Sequence, residues 1–192
     1  IVFIGDFIDR GPDSRGVVDA VLEFRLEYSN TTCLKGNHED MFLDYIKGEG
    51  RYDPGTFTMN GGHETLESYG IDPREGPPKL PPLHMEFFED LKFIHEAEGF
   101  IFVHAGFRPG VPIGEQAERD MLWIRNDFFE SNGDFGRPVV FGHTPMQEIF
   151  DKLPKWLGID TGAAFGNTLT CVQLAEEKIM NIYQVHADEV NA

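Results

Sequence analysis

Two aspartates, Asp6 and Asp9, lie three positions apart in GDFIDRG, directly after the apolar run IVFI. Further along, TTCLKGNHE delivers Asn37 and His38, FIFVHAG delivers His104, and VVFGHTP delivers His143. Carboxylate, amide and imidazole together suit borderline divalent metals such as Mn, Fe or Zn, whereas an all-oxygen set would suit Mg or Ca. Taken singly, an Asp after a strand is a turn former and a His is a structural residue. Recurrence is harder to explain that way, because the sites lie beside Gly5, Gly36, Gly106 and Gly142, where the backbone can turn sharply and approach a ligand.

The elements that must position these residues alternate. IVFI and TTCLK read as strands, and helices are expected near Arg15 to Leu26 and from about Glu39 to Ile46, a βαβα rhythm that signals an α/β fold. In such sheets ligands bind beyond the carboxyl ends of the strands, which is where the polar residues fall. Residues 48–82 hold six of the twelve prolines and one helical piece, GGHETLESYG, and read as an irregular insert or lid. After the helix LHMEFFEDL come strands at KFIHEAE, GFIFVHAG, VVFGH, WLGID, TLTCVQL and KIMNIYQV, with a helix expected around Glu115 to Phe129. Several of these strands are almost wholly apolar, as expected where both sheet faces are covered.

At 192 residues the chain reads as one domain spanning 1–192. Sixteen Lys and Arg stand against 33 Asp and Glu, a formal charge of -17 that repels polyanions and argues against a nucleic-acid surface. An anionic substrate would need a local positive centre, and bound metal ions are the natural one. No apolar run approaches the roughly 20 residues that cross a bilayer, so no membrane partner is expected. Cys33 and Cys171 sit in apolar strand-like runs and are expected to be buried and unbridged, which with the absence of an export signal gives a cytoplasmic expectation. His84 and His186 read as surface residues, and His63, beside Gly61 and Gly62, is ambiguous.

GDFIDRG, GNHE, FVHAG, FGHTP and IDTGAAFGNTL, in this order, closely resemble the motifs of the calcineurin-like metallophosphoesterases, and within them the bacterial branch of PPP-type serine/threonine protein phosphatases. The resemblance runs from Ile1 to about Leu174. It implies a sandwich of two central β-sheets flanked by helices and a pair of divalent ions, with manganese the first expectation and iron or zinc alternatives. By position, Asp6 resembles the bridging metal ligand, and Asn37, His104 and His143 the ligands of the second metal. His38 resembles the general acid and Asp9 the carboxylate that orients it. Arg10 resembles a phosphate clamp, Arg125 in MLWIRND a second phosphate-binding arginine, and Asn37 also faces the phosphate. Two ions about 3.5–4 Å apart lower the pKa of water and hold phosphate oxygens for in-line attack, and a planar guanidinium matches two such oxygens.

The same family opens with a strand ending in D-x-H-G, which is absent from this sequence. Ile1 reads as the start of the second strand, so the expectation is an N-terminally truncated domain that is weakly active or inactive as it stands. The activity expected first is hydrolysis of phosphomonoesters, with phosphoserine and phosphothreonine proteins or other phosphate esters as partners. The alternatives are a symmetrical bis(5'-nucleosyl)-tetraphosphate hydrolase, which shares the motifs, and a non-catalytic phosphate-binding module.

Overall fold

The structure, a computed structural model, describes residues 1–72, 74 and 79–187. They form two compact units, the first from Ile1 to Lys92 and the second beginning at Phe93.

In the first unit, β1 (Val2–Phe3) pairs in parallel with β2 (Thr32–Cys33), Val2 opposite Thr32 and Phe3 opposite Cys33. The crossover between them is α1 (Ser14–Glu27), whose Asp13 cap accepts the Gly16 amide at 2.8 Å, and whose buried Val18 and Val21 share a face three residues apart. Helix α2 (Asn37–Lys47) begins after a three-residue link from β2 and ends where Gly48 turns left-handed at φ 65°. Three more helices follow: α3 (Pro54–Phe57), α4 (His63–Tyr69) and α5 (Pro82–Asp90), with a π turn at Thr58–Gly62 joining the first two. Buried aromatics tie them together, Phe42 stacking on Phe57 at 5.4 Å and meeting Phe88 edge-on at 5.3 Å. The expected insert over 48–82 is therefore largely helical where it is described, and its residues 73 and 75–78 lie outside the described residues.

The second unit contains β3 (Ile94–Ala97), β4 (Phe100–Val103), β5 (Val139–Phe141), β6 (Phe150–Lys152) and β7 (Trp156–Gly158) in one sheet of order β3-β4-β5-β7-β6. The three central strands run parallel, and the two edge strands are antiparallel to their neighbours. All residues of β5 and β7 are buried, as central strands covered on both faces must be. Strands β8 (Thr168–Ala175) and β9 (Lys178–His186) form a separate antiparallel pair. The mixed α/β fold expected from the sequence is present.

Several expectations require correction. Cys33 is buried, but Cys171 is exposed, since it alternates along β8 with the buried Thr170. The apolar look of TLTCVQL and KIMNIYQV does not mean full coverage either, because Leu169, Ile182, Tyr183 and Val185 remain exposed. The helix expected over 115–129 is broken into α6 (Glu118–Trp123) and α7 (Asn126–Phe129). Extended backbone at Ile124 and a non-helical Arg125 interrupt the helix, with the isoleucine buried in the core and the arginine in solvent. Strand β6 was not expected, its sequence FDK carrying a single apolar residue. His84 is buried, bonded to the Tyr69 hydroxyl at 2.8 Å and to Asp19 at 2.9 Å.

Candidate active site

Beyond β1 the chain enters a turn with three non-glycine residues at positive φ: Asp6 at 59°, Asp9 at 75° and Arg10 at 62°. Such conformations are held only where surrounding contacts over-determine them, and they concentrate at functional sites. One set of contacts comes from Glu39, a fully buried carboxylate that accepts the amides of Asp6 at 3.0 Å, Phe7 at 2.7 Å and Gly36 at 2.8 Å. Burial and the neighbouring Asp6 charge push the Glu39 carboxyl up to about 7. Gly36 itself admits no side chain, since a Cβ there would lie 2.1 Å from Asp6 Oδ1. The Asp6 carboxylate thus faces the first turn of α2, where the His38 amide approaches it at 3.4 Å.

Helix α2 starts at Asn37 and His38, both buried. His38 Nδ1 meets Asp9 Oδ2 at 2.6 Å, with both side chains shielded from solvent. Burial disfavours the charged ring, but the hydrogen bond to Asp9 and the charges of Asp6 and Asp9 outweigh it, so His38 holds its proton above the usual histidine range. Nδ1 is committed to Asp9, which leaves Nε2 as the atom able to deliver a proton. Asp9 is fixed in turn: its amide donates to Ser14 Oγ at 3.1 Å and Thr65 Oγ1 at 2.9 Å, and the Thr65 hydroxyl donates to its Oδ1 at 2.6 Å. The next residue, Arg10, donates its amide to Gly61 O at 3.0 Å. Gly61 sits at φ 97°, and a Cβ there would come within 2.6 Å of Arg10 Cγ. The NGGHETL segment therefore braces the turn that presents Asp9 and Arg10.

In the second unit, parallel strands β4 and β5 run in register, Ile101 beside Val139 and Phe102 beside Val140, so their carboxyl ends place His104 and His143 side by side. His104 Nε2 and His143 Nδ1 are 3.3 Å apart, and both rings are buried. His143 adopts φ 64°, and the Gly142 amide donates to His104 O at 2.8 Å, locking the two strand ends together. Two clustered imidazoles in a buried site fit the donor preference of a borderline divalent ion. Trp123 meets the His143 ring edge-on at 5.9 Å. Arg125 lies exposed at the break between α6 and α7 and lines a cleft of about 390 Å³.

The first unit thus gathers Asp6, Asp9, Arg10, Asn37 and His38 on the ends of β1 and β2, and the second gathers His104 and His143. Glu39, Thr65 and Gly61 escaped the reading of the sequence. Glu39 had a signal, for a glutamate three residues after a helix cap is the second half of a capping box. Thr65 had none, because its role depends on contact with Asp9, 56 positions away.

The family description calcineurin-like phosphoesterase matches residues 1–178. The chain belongs to that family. Among curated relatives, the asymmetrical bis(5'-nucleosyl)-tetraphosphatase PrpE of Anoxybacillus flavithermus is 25% identical, over 95% of this chain and 78% of that protein. The protein of the same name from Bacillus subtilis strain 168 is 28% identical, over 95% and 78%. A crystal structure described as that of a candidate diadenosine tetraphosphatase superposes with a TM-score of 0.65 at 22% identity, over 96% of this chain and 79% of that one, and supports the fold. This calcineurin-like phosphoesterase contains, among its described residues, no helix long and apolar enough to cross a membrane.

Proposed function

We propose that the protein is a metal-dependent hydrolase of dinucleoside tetraphosphates. The observation that carries this reading is that curated relatives aligned along 95% of the chain are named bis(5'-nucleosyl)-tetraphosphatases. They favour the dinucleotide over the phosphoserine and phosphothreonine substrates first expected from the motifs. Their names specify asymmetrical cleavage, whereas the alternative drawn from the sequence was the symmetrical reaction.

In this reading the whole chain acts as one catalytic domain, and Asp6 and Asn37 serve with His104 and His143 as metal ligands. A divalent ion held by these residues would supply Lewis acidity to the phosphoryl group and to the attacking water. Arg10 and Arg125 grip phosphate oxygens through planar guanidinium groups. The water oxygen forms a new bond to phosphorus and loses a proton to solvent while the bridging P–O bond breaks. Its electron pair leaves with the departing phosphate, which takes a proton from His38 Nε2. Asp9 stabilises the charged ring until that proton is given up and keeps the ring oriented.

Product analysis tests the proposal. The full chain, supplied with a divalent ion and diadenosine tetraphosphate, is expected to release ATP and AMP in equal amounts. Two ADP would transfer the reading to symmetrical cleavage. Phosphoserine-peptide hydrolysis with the dinucleotide left intact would overturn it.

A further inference from the structure

The cleft that includes Arg125 lies wholly within the second unit and carries three arginines, Arg108, Arg119 and Arg125, against the carboxylates of Asp120 and Asp127, with Trp123 in its wall. This is a locally cationic, aromatic-walled hollow in a chain of formal charge -17. We propose that it is the subsite for the part of the substrate beyond the cleaved bond, taking a short phosphate chain that carries a nucleoside. The inference rests on the dinucleotide reading and adds residues that the motifs do not assign.

The cleft is built rather than incidental. Arg108 donates from Nε to Asp120 Oδ2 at 2.8 Å and from Nη2 to Asp120 Oδ1 at 2.6 Å, a two-pronged pair. Gln116 closes the loop on the same residue, accepting the Arg108 amide at 2.7 Å and donating to Arg108 O at 3.0 Å and Val111 O at 2.8 Å. Arg108 is thereby spent on holding Asp120, and the anion-facing work falls to Arg119 and Arg125, both exposed. On α6, Arg119 and Trp123 are four residues apart, share a face and both line the cleft.

The position of Trp123 sets the direction. Its ring meets that of His143 at 5.9 Å, so the cleft wall begins one side chain away from a proposed metal ligand. A phosphate held near His143 would continue past the indole into the cleft. A single phosphate ester would leave Arg119 unused, whereas further phosphates would engage it. A base has a π face that stacks on tryptophan without hydrogen-bond readout. The volume of about 390 Å³ is within the range of small-molecule sites and suits a nucleotide half.

The test is calorimetric binding of ATP, inorganic tripolyphosphate and inorganic phosphate to the full chain in excess chelator, so that a metal site contributes nothing. ATP is expected to bind more tightly than tripolyphosphate, and tripolyphosphate more tightly than phosphate. Arg119→Gln, an exposed change, should weaken ATP and tripolyphosphate alike by about tenfold, the loss of one charge-assisted contact. Trp123→Ala should weaken ATP by about tenfold through lost stacking and leave tripolyphosphate within about twofold. Equal binding of all three anions, or indifference of ATP to Arg119→Gln, would overturn the assignment. Tighter binding of a phosphoserine peptide than of ATP, sensitive to the same change, would assign the cleft to a phosphoprotein and overturn it as well. Dinucleotide hydrolysis is scored separately: hydrolysis with no ATP binding in the cleft refutes this subsite alone, and ATP binding with no hydrolysis refutes the proposed reaction alone.

Discussion

His38 Nδ1 and Asp9 Oδ2 lie 2.6 Å apart in a pair shielded from solvent, joining the first turn of α2 to the strained turn after β1. The pair holds a proton on a ring whose other nitrogen can give one away, which is the requirement for a general acid. A departing alkoxide needs that proton urgently, while a departing phosphate, with a second pKa of about 6, needs it less. His38→Asn is therefore expected to reduce turnover of an alkyl phosphomonoester by roughly 10³- to 10⁴-fold but of the dinucleotide by only about 10²-fold. Equal losses on both substrates would contradict proton donation to the leaving group.

Glu39 concerns stability more than chemistry. Its buried carboxylate accepts three backbone amides, and Glu39→Gln replaces one acceptor oxygen with a donor. The unmade bond should lower unfolding free energy by about 1–3 kcal/mol in denaturant titration. An unchanged midpoint would show that the turn is held by other contacts.

Gly61→Ala should be costly for two reasons that act together. The residue occupies φ 97°, and the added methyl would lie 2.6 Å from Arg10 Cγ and 2.8 Å from Arg10 N. Strain of about 1–3 kcal/mol is expected. Because Arg10 must move, vanadate inhibition should weaken too. Full retention of that inhibition would remove Arg10 from phosphate binding.

Metal content should follow the two histidines and the first aspartate. His104→Ala, His143→Ala and Asp6→Asn are each expected to reduce bound divalent ion measured by elemental analysis, and a chelator should abolish activity until ion is restored. Undiminished metal in His104→Ala and His143→Ala would refute their assignment as ligands.

The two thiols should separate cleanly. Burial pushes the Cys33 thiol up to about 11, whereas Cys171 is exposed on β8. At pH 8 the native protein should take up one equivalent of iodoacetamide, on Cys171, and two after denaturation. Rapid labelling of Cys33 in the native state would contradict its burial.

Much of the candidate site was legible because its residues are local. Asp6, Asp9 and Arg10 occupy one turn, Asn37 and His38 one helix start, His104 directly follows β4, and His143 follows β5 after a single glycine. Strand ends announce themselves through an apolar run followed by glycine and a polar residue. What the sequence concealed depends on distant contact. Thr65 supports Asp9, and His84 is buried between Tyr69 and Asp19, although nothing in LHMEFF marks it as different from a surface residue. Cys171 misled because an apolar strand reads alike whether one face or two are covered, and coverage is decided by tertiary packing.

The most direct test of the central claim is the ratio of kcat/KM for diadenosine tetraphosphate to kcat/KM for a phosphoserine peptide, measured on one metal-loaded sample of the full chain. A hydrolase of dinucleoside tetraphosphates should favour the dinucleotide by at least about 10²-fold, a difference of some 2.7 kcal/mol in transition-state stabilisation. A ratio at or below one would contradict the account and return the protein to the phosphomonoesterases.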